Sequence, residues 1–93
     1  MKTCAGERQR LMTNLAQKEN VLGLYRQLWK TYRELAELSL PGIPTPAERR
    51  QQMRFIEETA VPIVKAEIEA TRESLENVTR AQELGCMELA NGN

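Results

Sequence analysis

The stretch NVLGLYRQLWKTYREL, residues 20–35, is apolar along one side and carries Arg26, Lys30 and Arg33 along an edge of that side. At about 100° per residue, Val21, Leu22, Leu24, Tyr25, Leu28, Trp29, Tyr32, Leu35 and Ala36 fall within one arc of roughly 160°. A helix lying on a single neighbour needs an apolar stripe of only about 100°. The wider arc predicts two neighbours, or one neighbour and a further apolar guest. Tyr25, Trp29 and Tyr32 place three of the chain's four aromatic residues within eight positions.

Two Pro-bearing breaks bound the elements on either side. SLPGIPTP, residues 39–46, holds three Pro and one Gly, so helix 1, from about 8, ends near Leu38 and a linker covers 39–45. Thr45, Pro46 and Glu48 then form a capping box with Pro at the first helical position. That box starts helix 2, residues 46–60. Pro62 predicts a kink or short break before a long helix 3, residues 62–89, with Val61, Val64, Ile68, Leu75, Val78 and Leu89 along its apolar stripe. No segment shows the period-2 alternation of a half-buried strand. The expected fold is all-α: a three-helix antiparallel bundle in which helices 1 and 3 are the long members.

Ninety-three residues make one domain with a modest core, so stability is expected to be marginal or borrowed from a partner. Thirteen basic and thirteen acidic residues cancel, which argues against a general nucleic-acid binder. No apolar run reaches the ~20 residues of a membrane-spanning helix. Residues 1–10 carry no hydrophobic segment and do not read as a secretory signal. Cys4 and Cys86 lie near opposite ends and there is no His, which excludes the usual zinc patterns and His-based triads. A disulfide between the two cysteines stays open, and two reduced thiols is the plainer reading.

Charge is segregated although its sum is zero. Arg26, Lys30 and Arg33 form a row beside Leu22 and Trp29, and helix 2 adds Arg49, Arg50 and Arg54. Helix 3 is acidic, with Glu67, Glu69, Glu73, Glu76, Glu83 and Glu88 against Lys65, Arg72 and Arg80. A basic edge of this kind speeds encounter with an acidic partner and sets its orientation. The plain alternative is that these are solvated ends of amphipathic side chains.

Residue order adds to this. VLGLYRQLWKTYR resembles the opening helix of the LYR-motif proteins, small three-helix proteins of mitochondria, through Val21, Leu22, Leu24, Tyr25, Arg26, Leu28 and Lys30. That family also carries a Phe closing a basic stretch on its second helix, and RRQQMRF places Phe55 there. The resemblance covers residues 20–56 by motif and the remainder by architecture. FIEETAVP and the Pro-rich linker differ from the usual family pattern.

The resemblance implies a non-catalytic adaptor that binds the acylated mitochondrial acyl carrier protein. The carrier's acidic helix would meet Arg26, Lys30, Arg33, Arg49, Arg50 and Arg54. The acyl chain on its phosphopantetheine arm would enter a slot made by Leu24, Tyr25, Leu28, Trp29, Tyr32, Phe55 and Ile56. No cofactor is held directly, the acyl-phosphopantetheine being supplied by the partner. The pair would serve as accessory subunit or assembly factor of a large complex, foremost respiratory complex I, in the matrix or peripheral to the inner membrane on its matrix side.

A different class of reading is a structural helical subunit of such an assembly, without carrier binding. Val64, Ile68, Leu75 and Val78, at close to heptad spacing, would then dock on another helix. Enzyme chemistry is not expected. Glu57 with Glu58, or Glu69 with Glu73, could pose as paired carboxylates, but none sits in an apolar run that would raise a pKa.

Overall fold

A computed structural model describes residues 4–85 of the chain, and within them every regular element is helical. Helix α1 spans Cys4–Leu35 and α2 spans Pro46–Phe55. A π-helical turn, Ile56–Ala60, leads into α3, Val61–Glu83. Leu89, expected on the last apolar stripe, and the expected helix end there lie outside the described residues. Among the described residues no helix is long and apolar enough to cross a membrane.

Helix α1 stops three residues before Leu38 because Ala36 turns left-handed, at φ 51°. Its N–H donates to Arg33 O at 3.2 Å, and the Leu38 N–H donates to Leu35 O at 3.0 Å. The left-handed region costs a side chain about 1–2 kcal/mol, so something must hold Ala36 there. Arg49 does this from the first turns of α2. Its guanidinium, 1% exposed, donates to Ala36 O at 2.8 Å, Leu38 O at 2.6 Å and Pro44 O at 2.7 Å. The cation thus meets the negative end of the α1 dipole through its orphan carbonyls.

Helix α2 begins as its sequence predicts. Thr45 is extended, at φ −63° and ψ 161°, and its hydroxyl accepts from Glu48 N–H at 3.2 Å while Pro46 opens the helix. The Glu48 carboxylate accepts from the Thr45 hydroxyl at 3.0 Å, so the reciprocal bond runs to the side chain. Helices α2 and α3 are then joined through the π turn, where a kink or short break was expected. Pro62 supplies the reason: it has no N–H, and its ring would crowd the Glu58 carbonyl four residues back in a regular helix. Widening the turn relieves that contact, and the Val61 N–H reaches back five residues to Ile56 O. One extra residue is thereby absorbed. Arg49, Met53, Ile56 and Ala60 turn inward at steps of four, three and four; beyond the turn Val61 and Val64 are half-buried and Ile63 is exposed.

The described chain forms two compact units. One runs from Asn20 to Ala66, and in it Ile56 and Ala60 are buried with Arg49. The other combines residues up to Glu19 with those from Glu67 onward. There Leu11, Ile68 and Thr71 are buried. The Thr71 hydroxyl donates to Glu67 O at 2.8 Å and accepts from Lys18 Nζ at 3.1 Å, so a buried polar group is satisfied on both counts. Arg72 and Glu19 pair nearby at 3.3 Å on the surface. Cys4 is disulfide-bonded, which replaces the plainer expectation of two reduced thiols; the chain's other cysteine, Cys86, lies outside the described residues.

Arg49→Ala is expected to cost about 3 kcal/mol, because it takes the donors from three part-buried bonds to the Ala36, Leu38 and Pro44 carbonyls at once. Arg49→Lys recovers little of this, since one ammonium cannot reproduce the planar fork. Ala36→Gly should stabilise by about 1 kcal/mol by removing the left-handed strain. Urea midpoints of the three variants, read at unchanged slope, check all of these values.

Candidate functional site

The unit Asn20–Ala66 carries the residues that the sequence singles out, and it divides them between two flanks. On one flank Arg26, Trp29, Ile56, Glu57 and Val61 line an open cleft of about 290 Å³. Trp29 and Ile56 supply its apolar wall, Ile56 being buried and Trp29 half-buried. The indole N–H of Trp29 donates to Glu57 Oε1 at 2.5 Å, which ties α1 to the π turn. The Arg33 guanidinium lies 5.4 Å from the Trp29 ring centroid, within cation–π range. Arg26 lines the cleft, Arg33 lies against its Trp29, and Lys30, four residues after Arg26, is exposed on the same face of α1.

The other flank holds a groove of similar size, about 300 Å³, lined by Val21, Leu24, Tyr25 and Leu28. Tyr32 is half-buried on the same side of α1, seven residues after Tyr25. The single slot predicted from Leu24 through Ile56 is therefore two surfaces. A residue two positions along a helix is turned by about 200°, so Leu24 and Leu28 both face away from Arg26.

The helix-2 cations disperse. Arg49 is buried on the α1 end, and its expected part in meeting a partner's carboxylates is corrected by its engagement with three carbonyls. Arg50 pairs with Glu37 at 2.6 Å in an exposed ion pair, while Arg54 is exposed. Phe55 stands 53% exposed and does not line the cleft. The structure adds two lining residues, Glu57 and Val61. Both follow from the π turn, which sets Ile56, Glu57 and Val61 around one opening. The capacity for a Trp–carboxylate bond at this spacing has no local sequence signal, since the partners are 28 residues apart.

The resulting site has an apolar floor, a cationic border and one internal carboxylate already engaged by the indole. Such a surface can accept an apolar chain and orient an acidic partner at its edge. Among the described residues there is no cluster of His, Cys, Asp or Glu able to hold a metal ion. Comparison of the chain with protein-family models, with curated proteins and with solved structures finds no match.

Trp29 is the chain's one Trp, so its fluorescence reports this cleft directly. Glu57→Ala should red-shift the emission and destabilise by about 1 kcal/mol, the worth of an incompletely buried charge-assisted hydrogen bond. Glu57→Gln keeps an acceptor oxygen and should retain most of the wild-type spectrum.

Proposed function

We propose that the chain is a non-catalytic LYR-type adaptor that binds an acylated acyl carrier protein at the Arg26–Trp29–Ile56–Val61 cleft. The single observation that carries this reading is the conjunction of an open apolar cleft with Arg26 in its wall and Lys30 and Arg33 exposed on the same helix. An acyl chain entering the cleft gains about 0.8 kcal/mol per methylene buried. The acidic face of the carrier meets the cations outside, where they govern approach and register. Arg54 extends the cationic border; Arg49 instead keeps the α1–α2 corner rigid beneath it.

On this reading the protein works in the mitochondrial matrix or at the matrix side of the inner membrane. It serves there as an accessory subunit or assembly factor, foremost of respiratory complex I. Helices α1, α2 and α3 correspond to the three helices of the LYR-motif bundle. The π turn is then the joint between the second and third helices of that bundle, where Pro62 withholds a donor and the regular ladder is interrupted.

The test is co-purification of the full chain with acyl carrier protein, with and without the serine that bears phosphopantetheine. Recovery should require that serine, and a mass spectrum of the native complex should show the acylated arm. Arg26→Glu should weaken association at least tenfold with helicity by circular dichroism unchanged, consistent with an exposed side chain. Equal recovery of both carrier forms, or of neither, overturns the proposal.

A further inference from the structure

We propose that the cleft recognises a secondary amide borne on an apolar chain, Arg26 donating to the amide carbonyl and Glu57 accepting from the amide N–H. The inference rests on the adaptor reading for the source of that amide; the recognition follows from two unlike poles in one opening. Arg26 lines the cleft from α1 and Glu57 from the π turn, with Trp29, Ile56 and Val61 as its apolar surface. The two charges are not paired with each other, and among the described residues Arg26 has no hydrogen-bond or ion-pair partner. Glu57 is held through Oε1 by the indole N–H of Trp29 at 2.5 Å. A carboxylate has about four lone-pair sites, so that one bond orients it and leaves most of its acceptor capacity to a guest. Trp29, its only donor spent, acts as wall and as positioning residue for Glu57.

The poles sort guests by chemistry. A bare alkyl chain covers the apolar surface but takes water from both charges and returns nothing to them. A fatty-acid carboxylate suits Arg26 and brings a like charge to the opening that holds Glu57. An alkylammonium suits Glu57 and meets the same difficulty at Arg26. An ester has the carbonyl that Arg26 needs and no N–H for Glu57. A secondary amide is neutral and sets an acceptor and a donor on opposite sides of one plane, so it answers both poles.

Sites that hold small ligands are mostly apolar, with a few placed polar groups that fix orientation. At about 290 Å³ the cleft stands near the lower end of their size range, which suits one polar group with a short length of chain. A guanidinium has several N–H donors, so a carbonyl bound inside does not exhaust Arg26 for a carboxylate at the edge. The arm of an acyl carrier protein is joined through amides, and an N-acylated peptide offers the same group beside an apolar tail.

The emission of Trp29, the chain's one Trp, reports occupancy. The full chain is titrated with N-methyloctanamide, methyl octanoate, octanoate and octylammonium, which share a tail and differ in the polar group. The amide should bind about fivefold tighter than the ester, the worth of one N–H donated to an exposed carboxylate, and tighter than either ion. Glu57→Ala should bring the amide-to-ester ratio to about one, while Glu57→Gln, which keeps an acceptor oxygen, should retain part of it. Arg26→Gln should weaken amide and ester alike, with helicity by circular dichroism unchanged in every variant. Equal affinity for amide and ester, a ratio untouched by Glu57→Ala, tightest binding of an ion, or no saturable response to any of these probes overturns the inference. Octanoyl-pantetheine and N-octanoylglycinamide then identify the source: tighter binding of the first assigns the amide to a carrier's arm, of the second to an acylated peptide, and amide recognition holds in both. Serine-dependent recovery of acyl carrier protein by a chain that does not favour amide over ester overturns this inference and leaves the adaptor reading intact. Amide preference without carrier recovery does the reverse.

Discussion

A buried guanidinium holds the corner on which the rest of the Asn20–Ala66 unit depends. Arg49 spans the end of α1, the linker and its own helix through Ala36 O, Leu38 O and Pro44 O. No carboxylate is among the bonds it makes; carbonyl dipoles at a helix C-terminus take the place of a counter-ion. The cost of desolvating the charge is offset only because each of those carbonyls would itself be an orphan without it. Its Nε remains without a partner, so the arrangement is not saturated. By fixing where α1 ends and α2 begins, this contact sets the level at which Trp29 meets Glu57, and hence where the cleft opens.

The second constraint acts at the far side of the cleft. Pro62 forces a wide turn, and the extra residue decides which side chains of the arm face α1. Past it Val61 and Val64 are half-buried and Ile63 is 53% exposed. The same turn brings Ile56, Glu57 and Val61 to a common opening. One backbone irregularity therefore both builds the cleft and leaves an apolar residue on the opposite flank. Substitution at Pro62 would touch the two surfaces together.

Much of this was legible locally. The Thr45–Pro46–Glu48 start, the Pro-rich linker and the absence of strands among the described residues follow from short-range chemistry that the sequence displays openly. The 160° arc of α1 was also readable, and its excess width corresponds to Val21, Leu24 and Leu28 left exposed beside a packed seam. What could not be read was long-range commitment. Arg49, Arg50 and Arg54 look alike as letters in RRQQMRF; one is buried, one pairs with Glu37 and one is exposed. Which of three arginines a corner consumes depends on helix phase at the linker exit, and periodicity fixes that to a residue only when both helix ends are known. The π turn was half-read: Pro62 announced an interruption, but a kink, a break and an added residue share the same sequence signal. The slot split in two for a related reason, since an arc describes one helix and says nothing of which part of it a neighbour covers.

The division of α1 into a seam and two unlike flanks has a consequence for occupancy. Arg26, Lys30 and Arg33 lie on the side away from Leu24 and Leu28, so a guest on either flank leaves the other open. Tyr25 and Trp29, both half-buried, contribute one ring to each opening from the same two turns of helix. Trp29 is anchored by its bond to Glu57. That bond fixes the ring within the cleft, so an occupant there must fit against the Trp29–Glu57 pair or displace it.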